Sequence, residues 1–146
     1  MRDRRYAEVL PGSTSGALVQ AAALRQAGVA PGGFAQVTQA GTHEAALAAL
    51  LTGTADLAAL AEEPWRKLKA ENPQVAEGLV ELWRSAPLPP GPVVCIRAPT
   101  TPCDRIGAVL LDDGAAAADL AKGWSETEGA VRFKGYDDRP YAGFRE

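Results

Sequence analysis

With one histidine, two cysteines and one methionine in 146 residues, the chain is short of the side chains on which most site chemistry is built. His43 is the sole imidazole, and the scattered carboxylates do not complete a Ser-His-Asp or Cys-His set around it, so no catalytic arrangement is assembled. Cys95 and Cys103 stand eight positions apart across a proline-rich segment, a spacing that fits neither a zinc motif nor a CxxC redox pair. No metal and no cofactor is expected. The two cysteines read as small, partly buried thiols, with a disulfide as the alternative in an exported protein. Basic runs are missing beyond Arg2, Arg4 and Arg5, and the net charge is −3 with an isoelectric point near 5.2. That leaves no electrostatic footprint for nucleic acid. No apolar run is long enough to cross a bilayer, and the Met-Arg-Asp-Arg-Arg-Tyr start lacks the apolar core of a signal peptide. The lysine of a GxxxxGK[ST] loop is absent too, which removes a nucleotide P-loop.

What is present suffices for a core: 47% of residues are hydrophobic and 23% charged, an ordinary balance for one globular domain. The expectation is a single α/β domain over 1–146, with 1–98 as its ligand-binding core and 99–146 as C-terminal helices and tail. Tyr6 to Leu10 reads as a strand that runs through Pro11-Gly12-Ser13-Thr14-Ser15-Gly16 into a helix over Ala17 to Ala27, stopped by Gly28. A second strand at Gln36 to Gln39 leads through Gly41-Thr42-His43-Glu44 into a helix. There Leu47, Leu50 and Leu51 fall at i, i+3 and i+4 before Gly53. A third strand over Ala55 to Leu60 precedes a charged helix from Glu62 to Glu71, in which Pro64 is tolerated in the first turn.

Gly78 to Ser85 and Val93 to Arg97 read as further strands, separated by a proline-rich connection, Pro87 to Pro92, that neither helix nor central strand accepts. Helices follow near Asp104 to Leu111 and Ala115 to Lys122, then an extended Ala130 to Lys134. Trp65, Trp83 and Trp124 are assigned to a core or a cleft wall. Strands alternating with helices call for a three-layer α/β/α fold with a mainly parallel sheet.

In such a sheet each helix that follows a strand starts at the strand's carboxyl edge, so the loops 12–16 and 41–44 face the same ligand space. A helix start offers unpaired N–H groups and the positive end of the macrodipole. Ser13, Thr14 and Ser15 add hydroxyl donors, and Gly12 and Gly16 allow close backbone approach. His43 lies at the second helix start, where a ring nitrogen can donate to the same anion. Glu62 and Glu63, on the same edge, can meet a cationic ligand group. The plain alternatives are that Ser13 or Thr14 is an N-cap, that His43 is a capping or surface residue, and that the two glutamates charge the first turn of their helix.

These segments, with Gly53-Thr54-Ala55-Asp56-Leu57-Ala58-Ala59, Trp83-Arg84-Ser85-Ala86-Pro87-Leu88-Pro89 and Tyr136-Asp137-Asp138-Arg139-Pro140-Tyr141, resemble the phosphate/phosphite/phosphonate substrate-binding proteins of ABC transporters. The resemblance implies one lobe, the second, of a type 2 periplasmic binding fold, with Ser13, Thr14, Ser15, Gly16 and His43 as oxyanion clamp and Glu63 or Glu62 facing a ligand amine. It also implies a permease partner and a periplasmic or cell-surface location. Two departures stand out. Gly91 occupies the place of an aspartate that, with the glutamate, handles the amine of aminophosphonates. The family's first lobe and signal peptide have no counterpart here, as in a piece of a longer protein or a shortened gene. The expected function is non-catalytic binding of phosphate, phosphite or a phosphonate. The alternative is a shortened interaction module that pairs its half-cleft with another protein or forms a homodimer, and an enzyme on the same fold is the third.

Overall fold

A computed structural model of the chain describes residues 2–30, 32–89, 91–123, 132–137, 139 and 142. Met1–Ser85 form one compact unit and Ala86–Arg145 another, so contacts thin at 85/86, ahead of the 98/99 division read from the sequence. The first unit contains β1 (Arg5–Glu8), a π-helical turn (Thr14–Leu18) running into α1 (Val19–Gln26), β2 (Gln36–Gln39), α2 (His43–Leu51), β3 (Leu57–Ala58), α3 (Glu62–Glu71) and α4 (Pro73–Ala76). The sheet is parallel, in the order β2-β1-β3. Arg5 pairs with Gln36 and Glu8 with Gln39, while Tyr6 and Ala7 pair with Leu57 and Ala58. The α/β class and the parallel sheet are those that the alternation of elements implied.

Neighbouring residues of a strand point to opposite faces. Tyr6 and Ala7 are both buried, so β1 is covered on both sides, as a central parallel strand must be. Ala7 packs with Ala46 of α2 and with Ala55, small side chains that let the helix come close to the sheet. Tyr6 stacks on Phe34 with ring centroids 4.8 Å apart. Through Leu47, α2 also meets Leu68 of α3 and Ala76 of α4, with Leu60 and Trp65 against that cluster. Pro64 sits in the first turn of α3, where its missing N–H costs no helical bond.

Arg5 fastens β1 to the turn before β3. Its main-chain N–H lies 2.8 Å from the Asp56 carboxylate and its guanidinium 2.9 Å, while the Asp56 N–H returns to the Arg5 carbonyl at 2.9 Å. Hydrogen bonds from Arg5 bring the Asp56 carboxyl from its ordinary 3.8 down to about 2. Arg84, and after it Trp65, does the same for Glu81, from 4.5 to about 2. A carboxylate depressed in this way contributes in full above its unfolded value and loses its contribution as pH falls through the folded one. Stability of this unit is therefore expected to hold down to about pH 5 and to decline toward about pH 2. Asp56→Asn combined with Glu81→Gln should make that decline shallower. Urea unfolding followed by circular dichroism over a pH series checks both.

In the second unit α5 (Cys103–Asp112) and α6 (Gly114–Lys122) pack together. Asp113 between them caps α6, its carboxylate accepting from the N–H groups of Ala115 and Ala116 at 3.1 Å each. Cys95 and Cys103 are joined in a disulfide, their Cα atoms 5.8 Å apart, which corrects the thiol assignment. The chain between them turns back far enough to bring the pair within bridging distance. A closed loop of this size stabilises by about 2–3 kcal/mol through the unfolded state. Further on, Arg139 pairs with Asp137 at 2.7 Å.

Two expected strands do not form: residues 78–85 and 93–97 carry no ladder. Val80, Leu82, Val94 and Ile96 lie exposed. A β-rich composition reports fit to a pleated, half-buried surface and not a backbone preference. No strand among the described residues pairs with either segment. The first is held by the side chains of Glu81 and Arg84, and the second is fastened at Cys95. Of the tryptophans read as core or cleft wall, Trp83 is half exposed and Trp65 packs against the second apolar cluster. Trp124, Ala130 and Val131 lie outside the described residues, and 132–134 are irregular.

Candidate functional site

Val9, the buried residue just past β1, holds two loops at once. Its N–H donates to the Gly16 carbonyl at 2.9 Å and its carbonyl accepts from the Gly41 N–H at 2.9 Å. Gly41 takes φ +88 to do so, a left-handed conformation in which glycine meets no steric penalty. The loop after β3 follows as the ladder continues, with the Ala59 N–H on the Ala7 carbonyl at 2.9 Å. Loops from all three strands are thus held at the carboxyl edge of the sheet, with β1 between its two neighbours.

At the first of these loops the helix opens with a π turn. Its first bonds run from the Leu18 N–H to the Ser13 carbonyl and from the Val19 N–H to the Thr14 carbonyl. The wider turn leaves the amides of Thr14 and Ser15 without an acceptor among the described residues, pointing off a helix N-terminus. Ser13 is the N-cap, its Oγ accepting from the Gly16 N–H at 3.1 Å. Thr14 and Ser15 are exposed. Gly16 is buried, its N–H is spent on Ser13, and a Cβ placed on it would stand 2.4 Å from Cγ2 of Val9. Its bareness serves helix-to-strand packing.

His43 ties the three loops together. Its Nδ1 accepts from the Ala61 N–H at 3.0 Å, and its Nε2 lies 3.3 Å from Ser15 Oγ. An amide can only donate, so Nδ1 is unprotonated and the ring proton of the neutral imidazole is on Nε2, directed at Ser15. The sequence pointed to Ser15 and His43 separately, and the fold brings them together. Two contributors had no sequence signal. Ala61 acts through its backbone, and Gln20 grips the Ser15 carbonyl through Nε2 at 2.6 Å.

Three carboxylates stand in the first turns of the helices that follow these loops, Glu44 in α2 and Glu62 and Glu63 in α3. Glu44 turns back on its own N–H and on the Thr42 hydroxyl, which hold its carboxyl below the usual range. Thr42 caps α2, accepting from the Ala45 N–H at 3.1 Å. Glu62, the first residue of α3, pairs with Arg84 at 2.5 Å, and Arg84 also grips Glu81 at 2.7 Å. Glu81 in turn accepts from the Trp65 indole at 2.9 Å. Glu63 is exposed and takes part in none of these pairs. No group of three or more His, Cys, Asp or Glu with metal-holding geometry occurs among the described residues, and no helix among them is long and apolar enough to cross a membrane.

Parallel strands whose loops gather around an open helix start at the carboxyl edge are the arrangement in which open α/β sheets hold ligands. A family model described as ABC transporter, phosphonate, periplasmic substrate-binding protein matches residues 1–141. The chain belongs to that family. A search among curated proteins found no match.

Proposed function

We propose that the protein binds a small phosphorus oxyanion or phosphonate without transforming it, as part of the substrate-capturing component that serves an ABC permease in the periplasm or at the cell surface. The family supports the phosphonate class. The observation that carries the site is the His43 bridge from Ser15 to Ala61. It ties Ser15 of the first loop to the loop after β3 at the sheet edge, beside a helix start where the dipole favours negative charge. A Ser–His pair invites an enzymatic reading, but a general base would need Nε2 unprotonated toward the serine. The Ala61 amide enforces the opposite tautomer, which suits holding an anion. The disulfide agrees with an oxidising compartment.

Calorimetric titration with phosphate, phosphite, methylphosphonate and aminoethylphosphonate tests the proposal. His43→Ala removes the bridge and is expected to weaken the best ligand by about tenfold, equivalent to about 1.4 kcal/mol. Equal affinity in wild type and variant would remove His43 from the site. Glu62 is paired with Arg84, and Gly91 stands where the resemblance places an aspartate, so of the two acidic groups that it implies for an amine Glu63 is the one in none of the ion pairs described above. Aminoethylphosphonate should consequently gain little over methylphosphonate, and a large gain would show that another carboxylate reaches the ligand.

A further inference from the structure

We propose that Gln20 is a positioning residue of the anion site: it holds the Ser15–Gly16 peptide from the helix side and thereby sets the Ser15 hydroxyl against His43. The inference rests on the oxyanion function above and adds a residue that acts on the ligand only through another. Gln20, the second residue of α1, is half-buried, and its Nε2 donates to the Ser15 carbonyl at 2.6 Å. At the other end of the same peptide the Gly16 N–H donates to Ser13 Oγ at 3.1 Å. A peptide unit is planar and carries the Cα of Ser15 within its plane, so a hold on both polar ends fixes the point from which the Ser15 side chain leaves. Ser15 itself is exposed, and packing does little to confine it. Its Oγ nevertheless stands 3.3 Å from His43 Nε2. The separation of five positions belongs to the π turn, whose i→i+5 bonding sets residue 20 over residue 15.

The other half of the Gln20 amide points the same way. Its Oε1 is closed off from solvent and has no partner among the described residues. A buried carbonyl oxygen without a donor destabilises the fold. An unbranched apolar side chain of the same length would fill the space without that orphan, but it has no N–H for Ser15. A residue that only packed α1 would therefore serve better apolar, whereas one that holds Ser15 must carry the amide and bear the orphan.

The test uses the full chain carrying Gln20→Met, a replacement of similar length that deletes the donor and the orphan together. Affinity for methylphosphonate and for phosphate, read by calorimetry, is expected to fall about fivefold, part of what a hydrogen bond to a charged acceptor contributes. The melting temperature should stay at or above that of wild type, because the orphan goes with the donor. Loss of a mere helix brace would lower stability instead. In a Ser15→Ala background the same substitution should cost less than about twofold, since the hydroxyl that it displaces is gone. His43 is the only histidine, so the nitrogen resonances of its ring are read without ambiguity. In ligand-free Gln20→Met the Nε2 signal should move toward its position in Ser15→Ala. Unchanged affinity overturns the inference and leaves the oxyanion function standing. So does an equal loss in both backgrounds, or a melting temperature that falls with affinity while the Nε2 signal stays in place. Wild-type protein that binds neither ligand overturns the oxyanion function, and the inference with it.

Discussion

Replacing Ser13, Thr14 and Ser15 together by alanine is expected to abolish measurable phosphonate binding. A hydrogen bond to a charged acceptor contributes about 1.5–3 kcal/mol, so losing three hydroxyl donors removes more than about 4 kcal/mol, roughly a thousandfold in affinity. The amides of Thr14 and Ser15 survive the substitution and leave at most a weak residual site. Ser15→Ala also deprives the His43 Nε2–H of its partner. Ser13→Ala carries a separate cost, because Ser13 caps the helix through the Gly16 N–H, and losing such a cap destabilises by about 1 kcal/mol. The Thr14→Ala/Ser15→Ala double variant keeps the cap and separates the two effects. It should melt near wild type and still lose most of its affinity. Calorimetry and thermal denaturation on the three proteins decide the matter, and a triple variant that binds as wild type would place the ligand elsewhere.

The elements around this site were legible because their signals are local. A Thr-His-Glu start after Gly41, a glycine behind each of the first two helices, and two glutamates followed by Pro64 each act within one or two turns. The bounds of α2 and α3 follow those signals. The meeting of Ser15 with His43 was legible in part, since parallel order places both loops on one edge. The bond that orients His43 was not, because Ala61 contributes a backbone amide that every non-proline residue has. The ion pair between Glu62 and Arg84 spans 22 positions, and opposite charges that far apart are too common to single out one pair. The π turn was hidden as well, since nothing in Ser13-Thr14-Ser15 separates it from an ordinary first turn. The strands expected at 78–85 and 93–97 failed for a related reason. Composition shows that a segment would suit a sheet but says nothing of whether a neighbour is there to pair with it. The disulfide, likewise, depends on a distance that sequence does not contain.

Gly16→Ala is expected to be the most damaging single methyl that can be added to the first unit. The new Cβ would lie 2.4 Å from Cγ2 and 2.5 Å from Cβ of Val9, and 2.8 Å from Ser13 Oγ. Real carbon contacts do not approach so closely, and Val9 cannot swing aside. It is β-branched, buried at the end of β1, and held through both its N–H and its carbonyl. The helix must therefore move off the strand. Overpacking of this kind costs about 1–3 kcal/mol or more, which exceeds the small helix-propensity gain of alanine over glycine. The movement also carries Ser13 and Ser15 away from His43, so anion affinity should fall together with stability, although the substitution removes no hydrogen-bonding group. Val9→Ala in the same chain removes the nearer clashing atom but leaves the Cβ at 2.5 Å, and should restore stability only in part. Urea denaturation of the two single variants and the double, analysed as a mutant cycle, measures that coupling. Additive effects would mean that Gly16 and Val9 do not press on each other.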